Sequence, residues 1–244
     1  YMKIRVLSSN LQRKLSFANH AISSKSQLPI LLNFLLVTTP TTLRIKSTDL
    51  EIGIEVELPA EVEEAGSIAV PAKTFMERIA SLPEDTITLQ TTEGMLEVIS
   101  KRTKSIFQTM NKDEFPKLYE EKGEKVTSLS QETLKKGFSS VIFAASADAA
   151  RPALTGVLVK QEENGFLLVA TDGYRLSLKH QRSDDAASAA SKGLSLIVPA
   201  RVFREVISLK ETEDIAMYVS AQNNQIVFAQ PEMTLIGRLI EGEF

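Results

Sequence analysis

The stretch SIAVPAKTFMERI at residues 67–79 occurs in a second version, SLIVPARVFREVI, at residues 195–207. The two Val-Pro-Ala triplets begin at Val70 and Val198, which are 128 residues apart. Proline is favoured at the first position of a helix, and the residues that follow it here have helical spacing. The pair predicts two copies of one structural unit, each with a helix that begins after Val-Pro-Ala. These helices are expected at about 72–81 and about 200–209.

The same repeat continues upstream with an offset of 123 residues. STDLEIGIEV at residues 47–56 corresponds to ATDGYRLSLK at residues 170–179, and both contain Thr-Asp. Two apolar stripes with the 4-3-4 spacing of amphipathic helices predict helices at about 9–22 and about 131–145. The stripes consist of Leu11, Leu15, Ala18 and Ile22, and of Leu134, Phe138, Val141 and Ala145. The later change of offset to 128 places five extra residues in SDDAASAAS (183–191), which is typical of a loop.

The rest of each unit has the pattern of β-strands. The alternating runs TITLQ, MLEVIS and KSIFQTM in the first unit have the counterparts IAMYVS, QIVFAQ and TLIGRLI in the second. Together with the helices, such runs predict an α+β fold with antiparallel strands. We therefore expect two tandem domains, each with two helices packed on antiparallel sheets. The predicted boundaries are 2–118 for domain 1, 119–128 for a polar linker region and 129–244 for domain 2.

The composition is that of a globular protein without disulfides. Apolar residues make up 43% and charged residues 24% of the 244 residues, and there is no cysteine. The absence of cysteine excludes disulfides, thiolate metal sites and a cysteine nucleophile. The longest apolar run, LPILLNFLLV at residues 28–37, is shorter than the roughly 18 residues that a membrane helix requires. We therefore expect a cytoplasmic protein with no membrane partner.

Motifs for catalysis are absent from the sequence. It contains no GxGxxG, GxxxxGK(S/T) or GxSxG pattern, and its two histidines, His20 and His180, occupy non-equivalent positions. Asp172 lies between two strand-like runs and precedes Gly173, a combination typical of a hairpin turn because glycine tolerates positive φ. A turn, rather than acid-base catalysis or metal binding, is the favoured role of Asp172. Acidic runs such as EVEEAG and YEEKGEK are interpreted as solvated loops, and no metal or cofactor is expected.

Charge is distributed unevenly along the chain, although the net charge is only −3. The four predicted helices contain nine basic and three acidic residues, which gives them +6 and leaves −9 for the rest of the chain. One explanation is that lysine and arginine are good helix formers on solvent-exposed faces. The other is that the helices share one positive surface, which suits contact with a phosphate backbone without base readout.

Motifs in both units resemble those of a known family. LPILLNFLLV, STDLEI, VPAKTF and DEFP in the first unit, and RPALTGVLV, VATDGYRL, LIVPARVF and LIEGEF in the second, are similar to the bacterial DNA polymerase III β subunit, the replicative sliding clamp. The motifs extend in order from Met2 to Phe244. The resemblance implies a non-catalytic processivity factor. Two chains of three clamp domains each would form a homodimeric ring that encircles duplex DNA. The ring would tether the polymerase III catalytic subunit, the clamp loader and other clients.

The resemblance also implies three sets of site residues. Basic residues on or beside the helices would contact duplex DNA without sequence specificity: Lys14, Lys25, Lys73, Arg78, Lys136, Arg201 and Arg204. One wall of a pocket for client peptides would consist of Leu154, Thr171, Gly173, Tyr174, Arg175 and Leu176. Family members commonly have histidine where this chain has Tyr174. The strand in KSIFQTM would contribute Lys104, Ile106 and Phe107 to the dimer interface.

A third clamp domain is expected after Phe244 and is absent from this chain. A truncated chain is the favoured interpretation, and a natural two-domain variant is the other. Without a third domain, a two-chain ring would lack one pocket wall and one dimer edge. The competing hypothesis is therefore a two-domain peptide-binding or regulatory module of the clamp fold that does not form a ring. A small-molecule enzyme on the duplicated fold is a third hypothesis, for which the sequence contains no suitable residue set.

Overall fold

The computed structural model describes residues 1–23, 26–182, 193–209 and 213–244. These residues form two compact units, Tyr1–Leu118 and Tyr119–Phe244. No helix within the described ranges is both long and apolar enough to cross a membrane. The predicted loop at 183–191 and the predicted DNA contact Lys25 lie outside the described residues.

The first unit contains two antiparallel sheets and two helices. Its elements in chain order are β1 (Lys3–Leu7), α1 (Ser8–Ala18), β2 (Asn33–Thr38), β3 (Thr42–Thr48), β4 (Ile52–Pro59), β5 (Glu61–Glu64), β6 (Ser67–Pro71), α2 (Ala72–Ala80), β7 (Thr86–Thr92), β8 (Met95–Ile99) and β9 (Lys104–Gln108). One sheet has the order β5-β1-β7-β8-β9, and the strands of the other follow the order β4-β3-β2-β6. The two helices pack against each other and bury Leu11, Leu15 and Phe75 in the core of the unit.

The second unit repeats this arrangement. Its elements are β10 (Glu124–Leu129), α3 (Gln131–Ser139), β11 (Gly156–Glu162), β12 (Gly165–Thr171), β13 (Leu176–Arg182), β14 (Ser195–Pro199), α4 (Ala200–Ser208), β15 (Ile215–Ser220), β16 (Gln225–Gln230) and β17 (Met233–Arg238). The strand orders are β10-β15-β16-β17 and β13-β12-β11-β14. The α3 and α4 helices pack against each other and bury Leu134, Phe138 and Phe203.

The predicted duplication is confirmed strand by strand. The order β1-β7-β8-β9 corresponds to β10-β15-β16-β17, and β4-β3-β2-β6 corresponds to β13-β12-β11-β14. β12 begins 123 residues after β3, and α4 begins 128 residues after α2. The predicted α+β fold, with two helices packed on antiparallel sheets in each unit, is therefore confirmed.

The first helix of each unit ends earlier than the apolar stripes predict. α1 ends at Ala18, not near residue 22, and the Ser47 hydroxyl donates a 2.5 Å hydrogen bond to the Ala18 carbonyl, which has no partner within the helix. α3 ends at Ser139, not near residue 145. Gly137 is a poor helix former, and the Ser140 hydroxyl donates to its carbonyl at 2.6 Å. In both units a short 3-10 turn follows, so the apolar stripe continues in a non-α conformation.

Two stretches interpreted as loop or linker are strands. The first four residues of EVEEAG form β5, which pairs with β1, so the interpretation of this run as a solvated loop is wrong. Ion pairs across the two strands stabilise this acidic segment: the Lys3 Nζ–Glu63 Oε2 distance is 2.5 Å. Arg5 contacts the carboxylates of Glu61 at 3.5 Å and Glu63 at 3.6 Å. Residues 124–128 of the predicted linker region belong to β10, which pairs with β15.

Candidate nucleic-acid and peptide interfaces

Asp172 holds the turn between β12 and β13. Its Oδ1 accepts hydrogen bonds from the backbone N–H groups of Tyr174 at 2.9 Å and Arg175 at 3.0 Å, and its Oδ2 accepts one from Arg175 Nε at 2.9 Å. The Thr171 hydroxyl donates to the Arg175 carbonyl at 2.6 Å. Gly173 has a φ of +91°, which side chains rarely adopt. Both carboxylate oxygens of Asp172 are therefore used within the turn, as the sequence predicts.

The same contacts make the stability that Asp172 contributes to the folded state dependent on pH. Backbone hydrogen bonds from Tyr174 and then Arg175, together with the Arg175 charge, hold the pKa of Asp172 below its ordinary value of 3.8. Such a group stabilises the folded state above its unfolded-state pKa, and the contribution is lost as the pH falls through the folded-state pKa. We expect the free energy of unfolding of Asp172→Asn to fall less than that of the wild type between about pH 5 and about pH 3. Urea denaturation at several pH values measures this difference.

The control for this experiment is Glu163→Gln, because Glu163 is an exposed carboxylate in the same unit. A change in acid sensitivity that occurs in Asp172→Asn and also in this control would not come from the turn. If Asp172→Asn loses as much stability on acidification as the wild type does, the carboxylate is not a stabilising element of the turn.

Most of the residues predicted to bind peptides lie around this turn. Tyr174 is 95% exposed and Leu176 is 65% exposed, although both side chains are large and largely apolar. Leu154 is half-buried in a short 3-10 turn. Arg151, which precedes that 3-10 turn, reaches the Gly173 backbone, since a Cβ on Gly173 would lie 3.1 Å from Arg151 Nη1. The second unit therefore presents an exposed apolar surface flanked by arginine.

Two apolar residues near this surface, Phe143 and Leu178, are not among the residues that the sequence predicted to bind peptides. Phe143 is 57% exposed, and the Arg175 guanidinium lies 5.7 Å from its ring centroid, within the range of a cation–π contact. In the helix that the sequence predicts through residue 145, Phe143 lies about 180° from the apolar stripe, so its exposure could have been predicted. Leu178 shares a face of β13 with Leu176, because alternate residues of a strand point the same way. That alternation was a signal available in the sequence.

The described residues that are predicted to contact DNA lie on the helices of both units, but their exposure differs. Lys73, Lys136 and Arg204 are exposed, whereas Lys14, Arg78 and Arg201 are half-buried. The four helices carry eight basic and three acidic residues, a charge of +5, on a chain of net charge −3. The predicted excess of positive charge is thus present on the described helices. Lys210, which also contributed to the prediction, lies outside the described residues.

Arg78 and Lys136 contact side chains within their own units. The Arg78 guanidinium donates to the hydroxyl groups of Ser81, at 3.1 Å, and Thr103. Lys136 Nζ donates to Glu132 Oε1 at 2.5 Å across one turn of α3. Exposed ion pairs such as Lys136–Glu132 contribute little stability, so Lys136 can exchange Glu132 for another anion. Arg78 is held from two sides and is therefore less available than Lys136.

The β9 strand lies at an edge of its sheet in the described part of the first unit. It pairs with β8, and Ile106 is 54% exposed. Lys104 Nζ lies 2.7 Å from Glu97 Oε1. Phe107 points to the opposite face and packs edge to face on Phe75, with ring centroids 5.6 Å apart. Of the three residues predicted for a dimer interface, Lys104 and Ile106 face outwards, whereas Phe107 packs inwards.

The two histidines have ordinary surface environments in the described structure. His180 Nδ1 lies 2.9 Å from Glu162 Oε2, and the His20 ring lies 5.6 Å from the Phe17 ring. Across residues 1–23, 26–182, 193–209 and 213–244, no group of three or more His, Cys, Asp or Glu side chains is arranged to hold a metal ion.

Two family models match nearly the whole chain. Residues 2–119 match the N-terminal domain of the DNA polymerase III beta subunit, and residues 128–244 match its central domain. The chain belongs to the DNA polymerase III beta subunit family. The two domains of the beta subunit that it matches correspond to the two structural units described above.

Curated relatives of this beta-subunit chain are named beta sliding clamp. The protein from Synechococcus elongatus is 29% identical over 250 residues, which cover 100% of this chain and 66% of the relative. The protein from Staphylococcus epidermidis is 28% identical over 92% of this chain and 61% of its own length. The crystal structure of the DNA polymerase III subunit beta from Pseudomonas aeruginosa has a TM-score of 0.91 at 28% identity, covering 100% of this chain and 66% of that one. The chain thus spans about two thirds of the length of these relatives.

Proposed function

We propose that this chain acts in a sliding clamp, as a non-catalytic processivity factor that binds duplex DNA without sequence specificity. The observation that carries the proposal is the charge of +5 on α1 to α4 in a chain of net charge −3. Lysine and arginine contacts to phosphates provide affinity without reading base sequence. The name of the relatives, beta sliding clamp, supports the same function.

Ring closure is part of this proposal. In this proposal, two chains of the cytoplasmic protein form a homodimeric ring, with the helices facing the DNA. The edge of β9 supports a role in dimer formation, because an edge strand presents backbone N–H and C=O groups for pairing with another chain. Lys104 and Ile106, which face outwards there, are the proposed contacts. Phe107 holds the strand in place by packing on Phe75 on its inner face. Enclosure of the DNA explains how weak phosphate contacts suffice for a protein that must slide.

The surface around Tyr174 and Leu176 is the proposed client site. It takes short linear peptides from the polymerase III catalytic subunit, the clamp loader and other clients. The exposed apolar side chains supply the contact area, and the Asp172 turn makes the position of Arg175 well defined. Rigid positioning of this kind lowers the entropy cost of binding a flexible peptide.

A second candidate function is a peptide-binding or regulatory module that does not form a ring. The exposure of Tyr174 and Leu176 favours it as well, because peptide binding at this surface requires no DNA. Binding to DNA distinguishes the two functions.

Fluorescence anisotropy with a labelled duplex tests the clamp function. If the helices provide about three phosphate contacts, the affinity should fall about 40-fold between about 50 and about 200 mM KCl. A second duplex of unrelated sequence should bind equally well. If neither duplex shows salt-dependent binding while a client peptide still binds, the clamp proposal is wrong and the peptide-binding module is the better description.

A further inference from the structure

Arg13 is a basic residue of α1 that sequence analysis did not assign to DNA. The buried side chains of Leu11, Leu15 and Ala18 define the packed face of this helix. At about 100° per residue, Arg13 lies about 170° from the centre of that face, whereas Lys14 lies only about 70° from it. Accordingly, Arg13 is exposed and Lys14 is half-buried. The geometry of α1 therefore directs Arg13, and not its neighbour, away from the protein core.

The internal repeat gives an independent argument for Arg13. Arg13 and Lys136 are 123 residues apart, which is the offset between α1 and α3, and both are exposed. Lys14 corresponds by the same offset to Gly137, which is buried. A Cβ on Gly137 would lie 2.5 Å from Gln181 Oε1. In both units, therefore, the position of Arg13 and Lys136 holds an exposed cation. The position of Lys14 is filled in the second unit by the buried Gly137, where a side chain would clash.

The charge of Arg13 is available to an anion. Its Nη2 donates to Asn10 Oδ1 at 2.6 Å, and this neutral acceptor orients the guanidinium without offsetting its charge. α1 contains no acidic residue, whereas Lys136 on α3 is paired with Glu132. A guanidinium also presents several N–H donors in a planar fork, which matches the oxygens of a phosphate.

We infer that Arg13 contacts a DNA phosphate directly, as the counterpart in the first unit of Lys136 in the second, and that Lys14 does not. The inference rests on the proposed DNA binding and names a contact residue for it. Because Lys136 must first release Glu132, the contribution of Arg13 to affinity exceeds that of Lys136.

The test compares Arg13→Gln with the matched control Lys14→Gln in the whole 244-residue chain. Loss of one phosphate contact should reduce the slope of log affinity against log salt by about 0.9, and should weaken binding about tenfold at about 50 mM KCl. The probe is a fluorescein-labelled duplex of mixed sequence. Lys14→Gln should keep the slope of the wild type, and Arg13→Lys should restore most of the slope because it keeps the charge. Circular dichroism checks that each variant is folded.

The outcomes separate the inference from the function on which it rests. A wild-type slope in Arg13→Gln, or a reduced slope in Lys14→Gln alone, overturns the assignment of Arg13 and leaves DNA binding intact. If the wild-type chain itself has no salt-dependent affinity for the duplex, both the proposed function and the inference fail. A reduced slope in Arg13→Gln that is restored in Arg13→Lys establishes the contact.

Discussion

Phe203→Ala is expected to lower the free energy of unfolding by about 3–5 kcal/mol, the usual loss when a buried phenylalanine is truncated. The Phe203 ring is fully buried and stacks on Phe138, with centroids 3.8 Å apart. It also meets the Phe228 ring edge to face at 5.9 Å. Truncation leaves a cavity where α3, α4 and β16 meet, and the close-packed neighbours refill it only by moving the backbone.

This packing also positions the proposed DNA contacts, because Arg201 and Arg204 lie on the same helix as Phe203. Chemical denaturation followed by circular dichroism measures the loss of stability. The matched control is Phe143→Ala, which removes the same ring from an exposed position and should cost less than about 0.5 kcal/mol. A loss below about 1 kcal/mol for Phe203→Ala would show that the aromatic cluster is not central to the second unit.

Leu176→Asp is expected to weaken the binding of a client peptide about 30- to 100-fold. Truncation of a central apolar contact typically costs 2 kcal/mol or more, which is about 30-fold, and a charge that must be desolvated adds to this loss. Leu176 is the exposed aliphatic residue nearest to the turn that positions Tyr174 and Arg175. Because it is exposed, the substitution should leave the folded state intact. Anisotropy with a labelled peptide from the polymerase III catalytic subunit measures the affinity.

The matched control is Leu50→Asp, which introduces the same charge into the corresponding turn of the first unit. Leu50 is 49% exposed and has a φ of 78°, a conformation that aspartate tolerates better than leucine. This control should bind the peptide like the wild type. Equal losses in the two variants would show that added negative charge, and not loss of the Leu176 contact, weakens binding. Full affinity in Leu176→Asp would place the client site elsewhere on the chain.

Much of the fold was predictable because the chain is a repeat. Two copies of one apolar pattern at offsets of 123 and 128 identify corresponding strands and helices without any knowledge of their contacts. The helix ends were less predictable, because an apolar stripe has similar spacing in an α-helix and in the 3-10 turn that follows it. At the end of α1 the Ala18 carbonyl accepts a hydrogen bond from the Ser47 hydroxyl, which is 29 residues away in the sequence. The strand β5 was missed because its acidic residues are balanced by Lys3 and Arg5 on another strand.

The candidate site residues also divide into those that the sequence predicted and those that depend on tertiary contacts. The role of Asp172 followed from its sequence, since Asp-Gly between two alternating runs makes a turn through local hydrogen bonds. The contact of Phe143 with the Arg175 guanidinium did not follow from the sequence, because the two residues lie in different segments of the unit. The inward direction of Phe107 depends on its contact with Phe75, which lies on a distant helix.

The sequence by itself determined that this protein is a duplicated α+β chain with basic helices and without a catalytic motif, because these properties reside in residue order, spacing and charge. Only the tertiary structure decided which basic and apolar side chains are available to partners. Exposure depends on how each helix is rotated against its neighbours and on which face of a strand is covered. Helical spacing in the sequence already places Arg13 opposite the apolar stripe of α1, whereas the packing of Gly137, the counterpart of Lys14, against Gln181 appears only in the folded structure.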